Sequence, residues 1–146
     1  MVEEVLALEE ELSFESFSSE DAYEAGKLIV DRVKREGLKN VRIRVVLGND
    51  IVFQYLMPGK NGVVWLDRKQ STVETVGHSS YYVWTAHEEN GDFKEFEGDQ
   101  TKVICGGGFP IIVYHEIVGS FMVSGLAHQE DHMLIVDALR ELKNKK

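Results

Sequence analysis

Apolar residues recur at helical spacing in the first third of the chain and again near its end. Residues 2–13 follow this period and predict a short amphipathic helix. Ser18 and Asp21 form a near capping box before a second helix, which ends at Gly37. The buried stripe expected for that helix comprises Ala22, Ala25, Leu28, Ile29 and Val33.

Two stretches of alternating or continuous apolar residues predict β-hairpins. The first hairpin pairs residues 41–45 with 51–56 around Gly48 and Asn49, and the second pairs residues 111–114 with 117–123 around His115 and Glu116. Three further helices are expected. One begins after Trp65, and one runs from Ser79 or Ser80 to His87. The last covers about residues 127–142, with Met133, Val136 and Leu139 facing inward. Residues 88–100 contain few large aliphatic side chains and are expected to form a loop. This order of elements favours an antiparallel sheet with helices packed against it, in a single domain that spans residues 1–146.

Composition narrows the function classes. The net charge is −9, so the protein as a whole repels a phosphate backbone. Its two basic clusters, at 34–35 and 143–146, lie at predicted helix ends, where their cations complement the helix dipole. We therefore expect no nucleic-acid partner. No apolar run reaches the roughly 20 residues that span a bilayer, the N-terminus lacks a basic signal region, and the one cysteine, Cys105, fits a reducing compartment. The sequence predicts a cytoplasmic protein without a membrane partner.

Several residues are candidates for chemistry, and each also has a plain structural interpretation. Gly106, Gly107 and Gly108 precede a Phe-Pro step and a strand, which argues against a phosphate loop and favours a tight loop or one flanking a ligand pocket. His128 and His132 have the spacing of a zinc site but no third ligand fixed by spacing, so we expect no metal held by side chains alone.

Other candidates lie in the middle of the chain. Trp65, Arg68 and Lys69 place an aromatic ring beside two cations, which suits an anionic planar ligand but equally describes an ordinary helix with a solvated basic face. His78 precedes a serine that is a plausible helix cap, and Cys105 is either a small hydrophobe or a partner of a histidine such as His132 or His78.

The motifs together resemble a known family. The strings Gly-Gly-Gly-Phe-Pro-Ile at 106–111, Val-Ser-Gly-Leu at 123–126 and Glu-Asp-His at 130–132 match the signature of the heme-degrading domain family, with a second block at 65–69 and 76–80. That family is related to GlcG, to the heme-binding protein HbpS and to the C-terminal domain of the PduO corrinoid adenosyltransferase.

The resemblance implies an α/β (α+β) domain, with a five-stranded antiparallel, profilin-like sheet and helices on both faces. It also implies homo-oligomers and, in some relatives, binding of heme or another tetrapyrrole. Two positions depart from the family pattern: Cys105 stands where a histidine is common, and Ala127-His128 stands where Pro-Gln is common.

These observations support three hypotheses. The first is a small-molecule-binding protein, with heme or a related tetrapyrrole as its ligand and no cofactor required for folding. Its expected binding residues are Trp65, Arg68, Lys69, His78, Gly106, Gly107, Gly108, Phe109 and His132. The second is an oligomeric scaffold or chaperone-like factor without a small ligand. The third is an enzyme acting on a bound cofactor, with His132 or Cys105 in proton transfer, for which no complete catalytic set can be assembled.

Overall fold

A computed structural model describes all residues from 1 to 146. It contains five α-helices, a short 3-10 helix and four β-strands. The helices are α1 (Val2–Glu11), α2 (Ser19–Glu36), α3 (Val64–Val76), α4 (Ser80–Asn90) and α5 (His128–Lys145), and the 3-10 helix is Lys94–Phe96. The strands are β1 (Arg42–Leu47), β2 (Asp50–Leu56), β3 (Gly108–Val113) and β4 (Glu116–Ser124).

The strands form one antiparallel sheet in the order β2-β1-β4-β3. The α+β class and the antiparallel sheet are confirmed, but the expectation of five strands is wrong. The segment nearest to a fifth strand makes a single bridge, from Phe14 to Val113 at the edge of β3. Pairing stops there because Ser18 already caps α2, which leaves too few residues for a strand.

The outer edge of β3 is occupied along its length. The amide of Gly108 donates to Ser80 Oγ at 2.9 Å, and Pro110 has no amide hydrogen to offer. Further along, Phe14 donates to the carbonyl of Ile112 and accepts from the amide of Tyr114, at 2.9 and 3.2 Å. The opposite edge of the sheet, on β2, has no such cover, and Ile51 and Tyr55 are exposed there.

Helices pack on both faces of the sheet. The larger core lies under α2 and α5, where alternate residues of β1, β3 and β4 point inward, namely Ile43, Val45, Phe109, Ile111, Phe121 and Val123. On the other face, α3 contributes Leu66 to a smaller cluster with Val46 and Met122. The apolar strands of the second hairpin are therefore largely buried within one chain, except at the turn end, where Tyr114 and Ile117 are exposed.

Local signals in the sequence account for most helix ends. Ser18 and Asp21 form the capping box at 3.3 and 2.8 Å, and Gly37 ends α2 in the left-handed conformation, as predicted. Ser79 caps α4 by accepting from the amide of Tyr82. The prediction for Met133 is wrong: it is exposed beside α1, while Val136 and Leu139 are buried.

None of these helices is both long enough and apolar enough to cross a membrane.

Candidate functional site

The glycine loop, residues 105–108, lies between the start of α4 and the start of α5. A Cβ added at Gly106 would come within 2.7 Å of the carbonyl oxygen of His128 and 2.9 Å of the Tyr81 ring. Real Cβ atoms do not approach so closely, so glycine is needed for the two helices to meet here. The loop thus forms a tightly packed floor between the starts of α4 and α5, and it does not line the cavity described below.

A buried ion pair holds this floor in place. The ammonium of Lys69, on α3, lies 3.1 Å from Asp131 Oδ2 on α5 and donates to the carbonyl of Val123 at 2.8 Å. Side-chain exposures are 4% for Lys69 and 2% for Asp131. A Cβ at Gly107, whose φ is +117°, would run into the Lys69 ammonium and the Val123 carbonyl. The glycine therefore permits close approach within one chain.

Asp131 joins this pair to the turn before α5. Its carboxylate accepts from the amide of Leu126 at 2.9 Å and from that of Gly125 at 3.3 Å. Burial raises the pKa of Asp131, and Lys69 together with the two amides opposes that rise. The charged pair consequently links α3, β4 and α5 behind the glycine loop.

Aromatic and imidazole rings pack together between α4 and α5. Tyr81 stacks on His132 with ring centroids 4.4 Å apart, and on Trp84 at 5.4 Å. His128 contacts both Tyr81 and Trp84, at 5.8 and 4.9 Å. Tyr81 and Trp84 are three residues apart on α4, and the two histidines are four apart on α5, so each pair shares a helix face.

His132 has no hydrogen-bond partner. Its side chain is buried, Nδ1 is fully enclosed without a partner, and Nε2 makes no hydrogen bond either. Burial is the main cause that lowers the pKa of His132 to about 4, with a smaller contribution from His128. The imidazole is therefore neutral at neutral pH, and Nε2 is the nitrogen that is not fully enclosed.

A cavity of about 350 Å³ lies against His132. It is an open groove bordered by α1, α4 and α5. Five of its eight lining residues are apolar, namely Met1, Val5, Leu8, Tyr81 and Met133, and the other three are Glu4, Gln129 and His132. Its volume is near the lower end of the roughly 300–1,000 Å³ that small-molecule sites occupy.

Arg68 has a different position from Lys69, although the two are adjacent in sequence. Its guanidinium lies 4.6 Å from the centre of the Trp65 ring and donates to the carbonyls of Lys102 and Asp99. It thereby holds the loop that leads to Cys105. No carboxylate forms an ion pair with Arg68, and Trp65 is half-exposed beside it.

His78 lies apart from the glycine loop. Its Nδ1 is 2.9 Å from Glu9 Oε1, and its ring contacts Tyr82. Glu9 also accepts from the amide of Ser79 at 3.1 Å, so the buried carboxylate ties α1 to the start of α4. In this arrangement His78 fastens the N-terminal helix that covers the cavity.

Cys105 is mostly buried, and burial raises the pKa of its thiol, opposed by the charge of Lys69. No group of three or more His, Cys, Asp or Glu side chains is placed to hold a metal ion. A protein-only metal centre therefore has no ligand set here.

The structure brings some of the expected residues together and separates others. Lys69, Gly106, Gly107, Gly108 and His132 lie in one cluster. Phe109 is fully buried in the main core and contacts this cluster, with its ring centroid 6.1 Å from that of His132. Trp65 and Arg68 border the preceding loop, and His78 belongs to the α1 contact.

Sequence reasoning missed the role of several residues of this region. The sequence predicts no role for Tyr81 and Trp84, and it includes Asp131 only within the Glu-Asp-His motif. A signal was available: Leu66, Lys69 and Val73 follow helical spacing, which places Lys69 on the buried stripe of α3, where it needs an acidic partner.

The fold is of the α+β class with one antiparallel sheet, and comparison with known proteins identifies its family. The family model described as "Haem degrading protein HbpS-like" matches residues 17–140. The chain belongs to this HbpS-like family.

Bacterial relatives match along nearly the whole chain. A UPF0303 protein of Psychromonas ingrahamii is 32% identical over 147 residues, covering 97% of this chain and 92% of the relative. A UPF0303 protein of Streptomyces avermitilis is 34% identical over 150 residues, covering 99% of this chain and 91% of the relative.

Solved structures share the fold. The Ybr137w protein superposes with a TM-score of 0.88 at 25% identity and covers 100% of this chain and 90% of its own. A PduOC:Heme complex gives a TM-score of 0.70 at 16% identity, with 88% and 96% covered, and HbpS gives 0.67 at 16%, with 86% and 89% covered. At this low identity the last two comparisons establish the fold alone.

Proposed function

We propose that this protein binds heme or a related tetrapyrrole in the cleft between α1, α4 and α5. The observation that carries the proposal is His132, a neutral buried imidazole with no hydrogen bond at either nitrogen, in the wall of an apolar cavity. Nδ1 is fully enclosed, so Nε2 is the nitrogen through which His132 would meet a ligand. Family membership and a heme-bound structural neighbour point to the same ligand class.

The residues present fit such a group. A tetrapyrrole needs apolar surface for its ring, and Val5, Leu8 and Met133 supply it. Its metal, when present, supplies an open coordination position, and the neutral imidazole of His132 is a suitable ligand. Tyr81 stacks on the imidazole and fixes its plane. Lys69 and Asp131 keep the glycine floor in position from behind, without touching the ligand.

Spectroscopic titration with hemin tests this proposal. The parent should bind one equivalent with a saturable Soret band. His132→Phe, which keeps a flat ring but removes both nitrogens, should weaken hemin about tenfold or more and change the position of the Soret band. His87→Phe is the matched control, because His87 lies at the far end of α4 and contacts Glu97.

The two results have distinct meanings. Absence of saturable hemin binding to the parent refutes the proposed function. An unchanged spectrum and affinity in His132→Phe would retain binding but remove His132 from the site.

Trp65 and Arg68 do not line the cavity at His132, and we propose them as a separate contact for a ligand that extends beyond it. Arg68 has no carboxylate partner in a chain of net charge −9, so an acidic group of the ligand can pair with it. Arg68→Gln should then weaken hemin about tenfold, whereas Arg35→Gln, on the exposed surface of α2, should not. Equal affinities for the two variants would exclude Arg68 from binding.

We also propose that the protein is cytoplasmic and assembles with copies of itself, as the family resemblance implies. The uncovered edge of β2, with exposed Ile51 and Tyr55, supports assembly. Light scattering at micromolar concentration tests the second claim, and a monomeric parent would refute it.

A further inference from the structure

The imidazole of His128 is held in one tautomer by a backbone amide. The amide nitrogen of Gly106 lies 2.9 Å from Nδ1 of His128. A backbone amide can only donate a hydrogen bond, so Nδ1 has to accept with its lone pair. In the neutral ring the proton is therefore on Nε2.

This proton is available to a ligand. Burial lowers the pKa of His128, with the charge of Lys69 acting in the same direction, so the ring is neutral at neutral pH. Nε2 makes no hydrogen bond in the chain and is not enclosed, since the ring is only partly buried. A protonated nitrogen has no lone pair for a metal ion. While it accepts from Gly106, His128 can donate through Nε2 but cannot coordinate through it.

His128 also lies within reach of a ligand seated on His132. The two residues are four apart on α5, about one turn or 5.4 Å along the axis. Both rings contact Tyr81, with centroids 5.8 and 4.4 Å away. His128 does not itself line the cavity at His132, so a flat ligand brings its periphery to His128 when it extends past the cavity along α5.

We propose that His128 determines specificity at this site by donating its Nε2–H to a peripheral carboxylate of the bound tetrapyrrole. This inference rests on the proposed function. A hydrogen bond to a carboxylate is among the stronger ones in proteins. The start of α5 adds a favourable field for a negative group, and the nearest buried acid, Asp131, is already paired with Lys69. No carboxylate of the chain itself accepts from Nε2.

The test compares a metal-free diacid with its ester. Protoporphyrin IX and its dimethyl ester carry the same ring, and only the diacid can accept through a carboxylate. His128→Phe should weaken binding of the diacid about tenfold and leave that of the ester within about twofold. His128→Gln should stay within about threefold of the parent for both, because its amide can accept from Gly106 and donate to the ligand at once.

Hemin provides an independent readout. In His128→Phe its affinity should fall by the same factor as that of the metal-free diacid, with an unchanged Soret position. A shifted Soret band with unchanged binding of the metal-free diacid would show that His128 coordinates metal, and it would overturn the inference. Equal affinity of the parent for diacid and ester would do so as well.

The remaining outcomes separate the inference from the proposed function. If no probe binds the parent saturably, the proposed function fails and the inference fails with it. If porphyrins bind but ¹⁵N NMR places the ring proton of His128 on Nδ1, only the inference fails. Should His128→Phe not fold, as judged by circular dichroism, two measurements still decide the question: the NMR tautomer of the parent, and the diacid–ester ratio of Arg68→Gln, in which His128 is the remaining proposed donor.

Discussion

The buried pair of Lys69 and Asp131 should contribute far more to stability than its distance alone suggests. Replacing Lys69 with Met keeps the length of the side chain but leaves the carboxylate of Asp131 enclosed without its cation. Removing one partner of a buried ion pair typically costs about 3–5 kcal/mol, because an uncompensated charge stays behind. We expect a loss of that size in the free energy of unfolding of Lys69→Met at pH 7.

The chain offers a closely matched control. Lys27 and Asp31 are also separated by 3.1 Å, but their side chains are 58% and 50% exposed. An exposed pair on one helix contributes little because water screens it, so Lys27→Met should change stability far less than Lys69→Met. The difference between the two variants then measures burial, since residue types and distance are the same.

The cost of Lys69→Met should depend on pH with a definite sign. Burial already raises the pKa of Asp131, and loss of Lys69 removes an interaction that opposes the rise. The folded variant then holds a proton over a pH range in which the unfolded chain, with a carboxyl pKa of about 3.9, has lost it. Stability therefore falls as pH rises, and the cost should be largest at neutral pH and smaller near pH 4.

Urea denaturation followed by circular dichroism measures these quantities. The double variant Lys69→Met/Asp131→Leu should be less destabilised than the sum of the two single variants, because no buried charge is left. Additive costs, or a cost for Lys69→Met no greater than that for Lys27→Met, would refute the reasoning.

Two further predictions concern the same cleft. Gly107→Ala should lower the free energy of unfolding by about 3 kcal/mol or more, because its Cβ meets Lys69 and a φ of +117° is unfavourable. Gly98→Ala, at φ +77° in open space, is the control and should lower it by about 1 kcal/mol, as measured by thermal unfolding. Similar losses in the two variants would show that crowding at the loop is unimportant. Because the pKa of His132 falls from 6.5 unfolded to about 4 folded, the unfolded chain binds more protons between these values, and the protein should lose up to about 3 kcal/mol of stability as pH falls through them. His132→Phe should abolish that part of the pH dependence. The prediction is contradicted if the urea midpoint depends on pH in the same way for His132→Phe and for the parent between pH 7 and 4.

Local sequence patterns predicted where the helices and strands lie better than which distant residues they contact. The capping box at Ser18 and the glycine at 37 depend on neighbours in sequence, so the limits of α2 could be placed from sequence. The start of β3 was placed too late, at residue 111. The strand in fact begins at Gly108, because Ser80 satisfies the Gly108 amide and the missing amide hydrogen of Pro110 costs nothing at that edge.

The site was harder to predict because its chemistry depends on contacts between distant segments. Lys69 was expected to face an anionic ligand beside Arg68, yet its cation is consumed by Asp131, 62 positions further along the chain. The two basic neighbours point to different surroundings because adjacent residues lie on different sides of a helix. His132 was expected at the site from its motif, but the absence of any partner for its ring follows only from the packed structure.

The occupied edge of β3 limits how this protein can aggregate. Strands add to a sheet only where backbone donors and acceptors are free, and here Phe14, Ser80 and Pro110 close one side. The β2 side alone can accept another strand. Two copies joined through β2 would leave no free edge, so growth by strand addition ends at a closed pair and cannot propagate into a fibril while the native fold persists.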